Sequence, residues 1–583
     1  MSLPGLELAE ASVESQYAPL PPTQVVLRPG CEWRFEIAFG LTVQVKLLTG
    51  TAELFGTELA QSQSYTFSGT KAAIYTWHGC TLEVSAGDGV ALPNGFAPGG
   101  VSTEGGGRGY GAGGCQSEYV AEETPMVEYA NVHFALESMR QEAQDGGGRD
   151  GPRVLILGPE HAGKTSLAKI LTGYATKVDR QPVVVNLNPA EGMLSVPGTL
   201  TATAFRSMID VEEGWGNSPM SGPSPVPVKL PLVYFYPMKS PLDGEGGVFK
   251  SIVSRLALSV TARMAEDDDA REAGVIVDTA GVLGQGTSKA LELIHHIITE
   301  FSISTILVIG SERLYSTMVK NYEQKPTSSA SAAHSDERIT VVKLSKSGGC
   351  VDRDEAFMKA VNESQIRSYF FGNAMATNSS ATTASSAAAA AVLPSATSST
   401  SNNTNKITLS PHTQQLDFDS LILYNYTVST TSDEDEEDEY DPSQFTTGDS
   451  YPEPSSDYYT TSQTTTASTT TTEQSQPTSS YDPTATATTT TTSSLENLPP
   501  PLKRFSPPLT LALSNTLIAI TYAPANASVT DIRDSSIMGF VYVADVDVEK
   551  RKLRVLAPVG GRMPAKALIW GKKWPGEVVG LVG

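Results

Sequence analysis

The chain has 583 residues and a formal net charge of −23, which is long enough for several domains and argues against an extended basic surface wrapped on nucleic acid. Four cysteines without a C-x-x-C pair argue against a disulfide framework or a cysteine zinc site and indicate a reducing compartment. No apolar run reaches bilayer length and no signal-peptide pattern is present, so we expect a soluble intracellular protein with no membrane partner.

Composition and hydrophobic periodicity divide the chain into segments. We predict an N-terminal tail (1–24), a β domain (25–120) with a Gly-rich loop (94–114), a connector helix and linker (121–150), a P-loop domain (151–373), a Ser/Ala/Thr-rich insertion (374–406), the first strand of a C-terminal domain (407–428), an acidic Thr-rich insertion (429–495) and the rest of the C-terminal domain (496–583). The two insertions hold too little apolar surface to offset the entropy cost of ordering, so we predict that both are disordered.

Short alternating stretches with turn signals run through residues 25–120. Val43–Leu47 alternates apolar and polar residues, and Ser64–Phe67 with Ala73–Trp77 reads as a hairpin around a Ser-Gly turn. Such strands are typical of a small sandwich. The stretch Met126–Gln144 then carries apolar residues at helical spacing and predicts a connector helix before the next domain.

A nucleotide-binding motif follows the linker. An apolar strand leads into Gly158, Pro159, Glu160, His161, Ala162, Gly163, Lys164, Thr165 and Ser166, which fit the P-loop pattern G-x-x-x-x-G-K-[ST] and precede a helical segment. In such a loop glycines allow backbone N–H groups to surround phosphate oxygens, at a helix N-terminus that favours negative charge. We expect Lys164 to reach the β- and γ-phosphates, Thr165 to bind Mg²⁺, and the His161 side chain to face solvent.

From residue 152 to about residue 372, apolar strands alternate with helical segments. The predicted strands are Val154–Leu157, Val183–Leu187, Leu232–Tyr236, Val275–Val277, Thr305–Ile309 and Thr340–Leu344. Strands that are apolar almost throughout indicate a parallel sheet covered by helices on both faces. Asp278 directly follows one of them and is a candidate for holding Mg²⁺ through a water molecule; capping of the following turn is the alternative.

The C-terminal part returns to a strand pattern. We predict one strand within Leu416–Tyr426, between the two insertions, and further strands at Met538–Val546 and Leu553–Val555. A small β-rich domain interrupted by an insertion is the interpretation that fits these three stretches.

Five sequence blocks in the predicted N-terminal β domain and P-loop domain carry a resemblance to a known family. They are residues 48–59 (LTGTAELFGTEL), 76–80 (TWHGC), 196–199 (VPGT), 347–349 (SGG) and 366–372 (IRSYFFG). In this order they resemble signature blocks of the ATP-binding subunit of pre-mRNA cleavage factor IA, a family whose animal members are RNA 5′-hydroxyl kinases.

The resemblance implies an α/β fold, with a central P-loop NTPase domain built on a parallel sheet between an N-terminal β-sandwich-like domain and a small β-rich (α+β) C-terminal domain. It implies ATP and Mg²⁺ as cofactors, with Glu32 and Lys71 holding the adenine. It further implies a nuclear protein that binds the large scaffold subunit of cleavage factor IA, the subunit that contacts the RNA polymerase II tail, and other 3′-end processing subunits, with RNA contacted at most indirectly.

Three positions depart from the pattern of the kinase-active members. Asn188 stands where those members have an Asp that serves as general base, and an amide cannot take a proton at neutral pH. Val282 stands where an aromatic residue would stack on an RNA base. In those members a lid that closes over the γ-phosphate carries two arginines, which stabilise charge on the transferring group. Here Arg353 matches the first arginine, and Met358 stands in place of the second. The resemblance therefore implies a fungal-type, kinase-inactive member without catalytic residues, which keeps ATP as a structural nucleotide.

Two other functions stay open at this stage. An active polynucleotide 5′-hydroxyl kinase would need another base, for which Glu191 is the candidate. A signalling GTPase or general ATPase is the third possibility, because residues 278–281 (DTAG) loosely resemble a switch sequence. The guanine-specifying Asn-Lys-x-Asp is absent after the fifth predicted strand, where residues 310–313 read GSER, so we rank this function last.

Overall fold

The computed structural model describes residues 22–87, 111–146, 150–219, 229–323, 339–372, 409–426, 502–505, 510–579 and 581. The predicted tail and Gly-rich loop lie mostly outside these residues, and both predicted disordered insertions lie entirely outside them. None of the helices in the described ranges combines the length and the apolar character that crossing a membrane requires.

An N-terminal β-sandwich is formed by two sheets. Its strands are β1 (Thr23–Leu27), β2 (Glu32–Glu36), β3 (Val43–Gly50), β4 (Glu53–Leu54), β5 (Thr57–Glu58), β6 (Ser64–Phe67), β7 (Lys71–Tyr75), β8 (Cys80–Ala86) and β9 (Ser117–Ala121). The strand orders are β1-β8-β3-β6 and β5-β4-β7-β2-β9. Along β3 every second side chain is fully buried, the period that one core-facing surface requires. Trp33 and Phe35 lie in the sandwich core with ring centroids 4.5 Å apart.

The hairpin predicted from Ser64–Phe67 and Ala73–Trp77 is wrong. β6 pairs with β3 in one sheet, whereas β7 pairs with β2 and β4 in the other. The Ser-Gly turn between them therefore carries the chain across the sandwich. Strands in both sheets turn an apolar face toward the same core, so alternation alone does not reveal which strands are hydrogen-bonded neighbours.

The central domain follows the connector helix. Its elements are α1 (Met126–Asp145), β10 (Arg153–Leu157), α2 (Lys164–Lys177), β11 (Val183–Leu187), β12 (Thr199–Ala204), β13 (Leu232–Phe235), α3 (Gly247–Glu266), α4 (Asp268–Ala273), β14 (Val275–Thr279), α5 (Ser288–Glu300), β15 (Thr305–Ile309), α6 (Glu312–Met318), β16 (Thr340–Leu344) and α7 (Glu355–Phe371). The sheet order is β13-β12-β11-β14-β10-β15-β16. Five neighbouring strands of this sheet are parallel: β11, β14, β10, β15 and β16. This parallel arrangement confirms the predicted P-loop fold class.

The strand β12 was not predicted, and it changes one edge of the sheet. It runs antiparallel to both β11 and β13. Its sequence, TLTATA, is almost fully buried although every second residue is threonine. Buried threonines replace the apolar run that marks the other strands, which is why the sequence pattern did not reveal it.

The C-terminal domain is built around one seven-stranded sheet. Its elements are β17 (His412–Asp417), β18 (Ile422–Tyr426), β19 (Leu502–Arg504), β20 (Leu517–Pro524), α8 (Val529–Arg533), β21 (Ile537–Asp547), β22 (Lys552–Ala557) and β23 (Lys566–Trp570), with strand order β17-β22-β21-β20-β23-β18-β19. The single strand predicted within Leu416–Tyr426 is wrong. A turn at Phe418–Ser420 separates β17, which pairs with β22, from β18, which pairs with β23 and β19.

Both outer domains pack closely on the central domain. The N-terminal domain contacts α2, where Tyr174 donates a 2.5 Å hydrogen bond to buried Glu53. On the other side, the hydroxyl of Tyr369 in α7 accepts a hydrogen bond of 3.2 Å from the backbone N–H of Phe540. One face of the central sheet shares a continuous apolar core with the C-terminal domain. Residues of all three domains line one cavity at the amino end of α2.

Candidate nucleotide-binding site

The predicted P-loop connects β10 to the amino end of α2. Gly163 has φ +89°, in the left-handed region that favours glycine, and a Cβ there would lie 2.8 Å from Cys350 Sγ. A Cβ on Gly158 would lie 2.7 Å from the carbonyl oxygen of Ile309. Both glycines of the motif are therefore required by the backbone, and the turn between them leads directly into a helix N-terminus, an arrangement suited to a phosphate.

Lys164 is buried at the start of α2, with only 7% of the residue exposed. Its ammonium group donates a 2.8 Å hydrogen bond to the carbonyl oxygen of Pro159 within the same loop. Burial lowers the pKa of Lys164, and the carboxylate of Asp278 opposes this effect. An ammonium with one backbone partner can still donate hydrogen bonds to phosphate oxygens. The negative charge of the phosphate would also compensate the cost of burying the ammonium.

Thr165 and Asp278 lie side by side at the base of the loop. The Thr165 hydroxyl donates a 2.5 Å hydrogen bond to Asp278 Oδ2. The other carboxylate oxygen, Oδ1, is buried and has no hydrogen-bond partner among the described residues. Burial raises the pKa of Asp278 from 3.8 to about 6.

The pair fits Mg²⁺ by its chemistry. Hydroxyl and carboxylate oxygens are the ligands that this hard cation prefers, and in P-loop proteins it is held by the P-loop Ser/Thr and a strand-end Asp. The unpartnered Oδ1 of Asp278 supplies such an oxygen. Thr165 and Asp278 could therefore hold the metal of a bound nucleotide, and the metal would neutralise the buried carboxylate.

The two residues expected to hold adenine, Glu32 and Lys71, lie on adjacent strands of the N-terminal sandwich and line the same cavity as the P-loop. Glu32 is buried and accepts a 2.5 Å hydrogen bond from Arg34 Nε. Burial raises the pKa of Glu32, and Arg34 opposes this effect. Lys71 lies 3.2 Å from Glu36, in an ion pair whose side chains are about one quarter exposed. Both residues are thus partly engaged by neighbours on β2.

The three positions that depart from the kinase pattern also line this cavity. The side-chain oxygen of Asn188 accepts a 3.2 Å hydrogen bond from the backbone N–H of Ala190. Val282 and Met358 present aliphatic side chains without ionisable or aromatic groups. None of these three residues can act as a general base, and none has an aromatic ring on which an RNA base could stack.

Glu191 and Arg353 form a bidentate ion pair at the edge of the P-loop. Arg353 Nη1 and Nη2 donate to the two carboxylate oxygens of Glu191 at 2.9 and 2.7 Å. Burial raises the pKa of Glu191, but the hydrogen bonds and charge of Arg353 outweigh it and hold this pKa below its ordinary value. A carboxylate that resists protonation is a weak base, so the geometry argues against Glu191 in the role of general base.

His161 takes part in the same cluster, and its predicted solvent-facing orientation is wrong. Its backbone has φ +55°, and its Nδ1 lies 3.4 Å from Arg353 Nε, with the residue partly buried. Burial and then the nearby guanidinium lower the pKa of His161. The imidazole is thus kept neutral beneath Arg353.

The cavity has a volume of about 1140 Å³ and is lined by residues of all three domains. P-loop residues from Glu160 to Ser166 form its floor. The C-terminal domain contributes Trp574, whose indole N–H donates a 2.9 Å hydrogen bond to the carbonyl oxygen of Pro189. This volume slightly exceeds the usual range of small-molecule sites, about 300–1,000 Å³, and is large enough for a nucleoside triphosphate.

Several residues of the cavity wall were not predicted from sequence, among them Trp574, Cys350 and Lys169. Lys169 follows the P-loop by one helical turn, with its ammonium 5.7 Å from the ring centroid of Phe55. Its helical spacing from Thr165 was a usable signal. Trp574 and Cys350 have no local motif, because only the tertiary fold brings them to the loop.

The fold and this site together define a three-domain protein of the P-loop nucleotide-binding class. Residues 26–143 match the N-terminal beta-sandwich domain of polyadenylation factor, residues 158–372 the P-loop of mRNA cleavage and polyadenylation factor CLP1, and residues 409–576 the pre-mRNA cleavage complex II protein Clp1. The chain belongs to the Clp1 family of mRNA cleavage and polyadenylation factors, which confirms the resemblance noted in the sequence.

Relatives and solved structures agree with this assignment. The mRNA cleavage and polyadenylation factor clp1 of Neosartorya fischeri is 66% identical over 584 residues, and that of Aspergillus oryzae is 65% identical over 590 residues, each match covering 100% of both chains. A solved complex of Clp1p with Pcf11p contains a chain with TM-score 0.66 and 23% identity, the match covering 94% of this chain and 97% of that one. A second structure, which concerns the Pcf11p–Clp1p interface and ATP loss in a point mutant, has the same TM-score and identity, with 94% and 98% covered. At this identity the two structures support the fold.

Proposed function

We propose that this protein is an ATP-binding structural subunit of the nuclear mRNA 3′-end cleavage and polyadenylation machinery, with little or no turnover of ATP. The observation that carries the proposal is the combination of an intact P-loop with Asn188 at the position of the general base. Lys164, Thr165 and buried Asp278 retain the means to bind ATP–Mg²⁺.

In this proposal the nucleotide lies in the cavity between the domains. Its phosphates are bound by residues 158–166, its metal by Thr165 and Asp278, and its adenine by Glu32 and Lys71. Because the N-terminal and central domains both contribute walls, a nucleotide held there stabilises their relative orientation. Tight binding to the native state adds stability as RT ln(1 + [L]/Kd).

The proposed partners are the large scaffold subunit of cleavage factor IA, which contacts the RNA polymerase II tail, and other 3′-end processing subunits. Membership of the Clp1 family supports partners of this kind. In the solved complex the similar Clp1p chain is paired with Pcf11p, so the counterpart of Pcf11p is the first partner to test. We propose nuclear localisation on the same ground and assign no membrane partner.

The direct test has two parts. Protein purified without added ligand is denatured, and the released nucleotide is identified by chromatography; we expect about one ATP per chain. Purified protein is then incubated with labelled ATP and 5′-hydroxyl RNA, where we expect no transfer of label. Robust transfer would instead establish an active polynucleotide 5′-hydroxyl kinase, and bound GDP would favour a switch protein.

A matched pair of variants separates the P-loop from general effects on α2. Lys164→Ala removes the buried ammonium at the phosphate end of the helix and should abolish copurification of ATP. Lys177→Ala removes a partly exposed lysine at the other end of α2, where it pairs with Glu58 on the surface, and should retain ATP. Equal loss from both variants would contradict the proposed phosphate site.

A further inference from the structure

The segment between β16 and α7, residues 345–354, covers the P-loop; we call it the lid segment. At its start, the Ser345 backbone N–H donates a 2.9 Å hydrogen bond to Glu128, and its carbonyl oxygen accepts one of 2.9 Å from Tyr129, both on α1. In its middle, Cys350 Sγ lies so close to Gly163 that a Cβ there would approach it to 2.8 Å. The lid segment is therefore fixed to the connector helix at Ser345 and packs on the P-loop at Cys350.

The second half of the lid segment is fixed by Arg353. This guanidinium meets Glu191 through two parallel hydrogen bonds and lies against His161 of the P-loop. Glu191 belongs to the loop after β11, 162 residues earlier in the chain. A fork-to-fork pair of this type is both stronger and more strictly oriented than a single hydrogen bond. Both side chains are largely shielded, at 29% and 22% exposed, which limits screening by water and salt.

We propose that Glu191 is a positioning residue whose bidentate pair with Arg353 holds the lid segment closed over bound nucleotide, so that nucleotide leaves only when this pair opens. The inference deepens the proposed retention of ATP and rests on it. It gives Glu191 a role that needs no proton transfer, in agreement with its lowered pKa. In this role Glu191 acts through Arg353 and touches neither phosphate nor metal.

The chain contains its own reporter of lid opening. Of its four cysteines, Cys31, Cys80 and Cys115 are buried in the N-terminal sandwich, whereas Cys350 in the lid segment is only partly buried. Under native conditions a maleimide should therefore label Cys350 first, at a rate set by opening of the lid segment. Peptide mass analysis identifies the labelled cysteine.

The experiment compares full-length wild-type protein with Glu191→Gln in saturating ATP and Mg²⁺. Breaking a charge-assisted bidentate pair should make both Cys350 labelling and the release of labelled ATP faster, on the order of tenfold to a hundredfold. Glu312→Gln is the matched control, because it makes the same change in an exposed pair with Lys343 and should leave both rates unchanged. Rates of Glu191→Gln equal to those of wild type would overturn the proposal.

Three further variants make the test independent of a single protein. Arg353→Lys keeps the positive charge but cannot form the fork, so it should also accelerate labelling and release; wild-type rates would overturn the proposal even if Glu191→Gln failed to fold. The double variant Glu191→Gln with Arg353→Gln should release ATP no faster than Arg353→Gln alone, because one pair is broken once. Additive effects would mean that the two residues act separately. Absence of ATP from wild-type protein would contradict the proposed function, while labelling of Cys350 would still test the pair.

Discussion

The buried carboxylate of Asp278 leads to a prediction about stability that can be worked out from its surroundings. The change is Asp278→Asn, which keeps the oxygen that accepts from Thr165. The amide NH₂ replaces Oδ1, an atom without a hydrogen-bond partner in the described structure, so the main difference is the loss of a buried negative charge. We expect nucleotide-free Asp278→Asn protein to be at least as stable as wild type at neutral pH.

The magnitude follows from the raised pKa of Asp278. Below pH 3.8 the carboxyl is protonated in both states and has no effect. As the pH rises, the unfolded chain loses this proton first, so the native state loses stability until the pH passes about 6. The full penalty is about 3 kcal/mol, and roughly half of it develops between pH 5 and pH 7.5. Asp278→Asn removes this part of the pH dependence.

The assay is denaturant unfolding of protein stripped of nucleotide and metal, at several pH values from 5 to 7.5. Because a chain with several domains need not unfold in one step, transition midpoints of wild type and variant are compared at each pH. Their difference should grow in favour of Asp278→Asn as the pH rises. With ATP and Mg²⁺ the order should reverse, since only wild type offers the metal a carboxylate. Parallel pH profiles, or a variant clearly less stable without ligand at pH 7.5, would refute the reasoning.

Three further predictions concern contacts between the domains and the cavity. Gly56 has φ +84°, and a Cβ there would lie 2.8 Å from the Ile170 carbonyl oxygen on α2. Gly56→Ala should therefore lower the free energy of unfolding by about 2 kcal/mol or more, measured as a lower melting temperature. It should also reduce the amount of copurified ATP. Trp574→Phe removes the hydrogen bond to Pro189 and should cost about 1 kcal/mol in thermal unfolding, with copurified ATP retained. Chelation of Mg²⁺ should lower the melting temperature of the ATP-bound protein, and a Thr165→Ala variant should respond less.

The sequence predicted the P-loop and the strand and helix that flank it, because their determinants are local. The residues from Gly158 to Thr165 are contiguous, and a strand before and a helix after them follow from short-range hydrophobic patterns. Sheet partners are not local. The false hairpin of Ser64–Phe67 and the unrecognised strand at Thr199–Ala204 both depend on which distant strand provides the hydrogen bonds, which alternation does not encode.

The chemistry of individual side chains was likewise accessible only in part. The sequence alone shows that Asn188 cannot act as a base, because an amide does not take a proton at neutral pH. Glu191 is a weaker inference from sequence: it is a carboxylate near the P-loop, but it lies three residues after Asn188 and past a proline. Only the pairing with Arg353 lowers the pKa of Glu191 and occupies both its oxygens. The partner is remote in sequence, so spacing could not have revealed it.

If the protein retains ATP as proposed, the shape of the cavity links that retention to assembly of the domains. Its walls come from parts of the chain as distant as Glu32 and Trp574, so the affinity for nucleotide depends on how the domains pack, and by linkage their packing depends on the nucleotide. At a ligand concentration 1,000 times Kd, this contribution is about 4 kcal/mol, which is comparable with the net stability of a typical domain. Rapid turnover would interrupt that stabilisation at each product release. A site that keeps phosphate-binding groups such as Lys164, but has Asn188 where a base would be needed, would preserve the stabilisation by bound nucleotide.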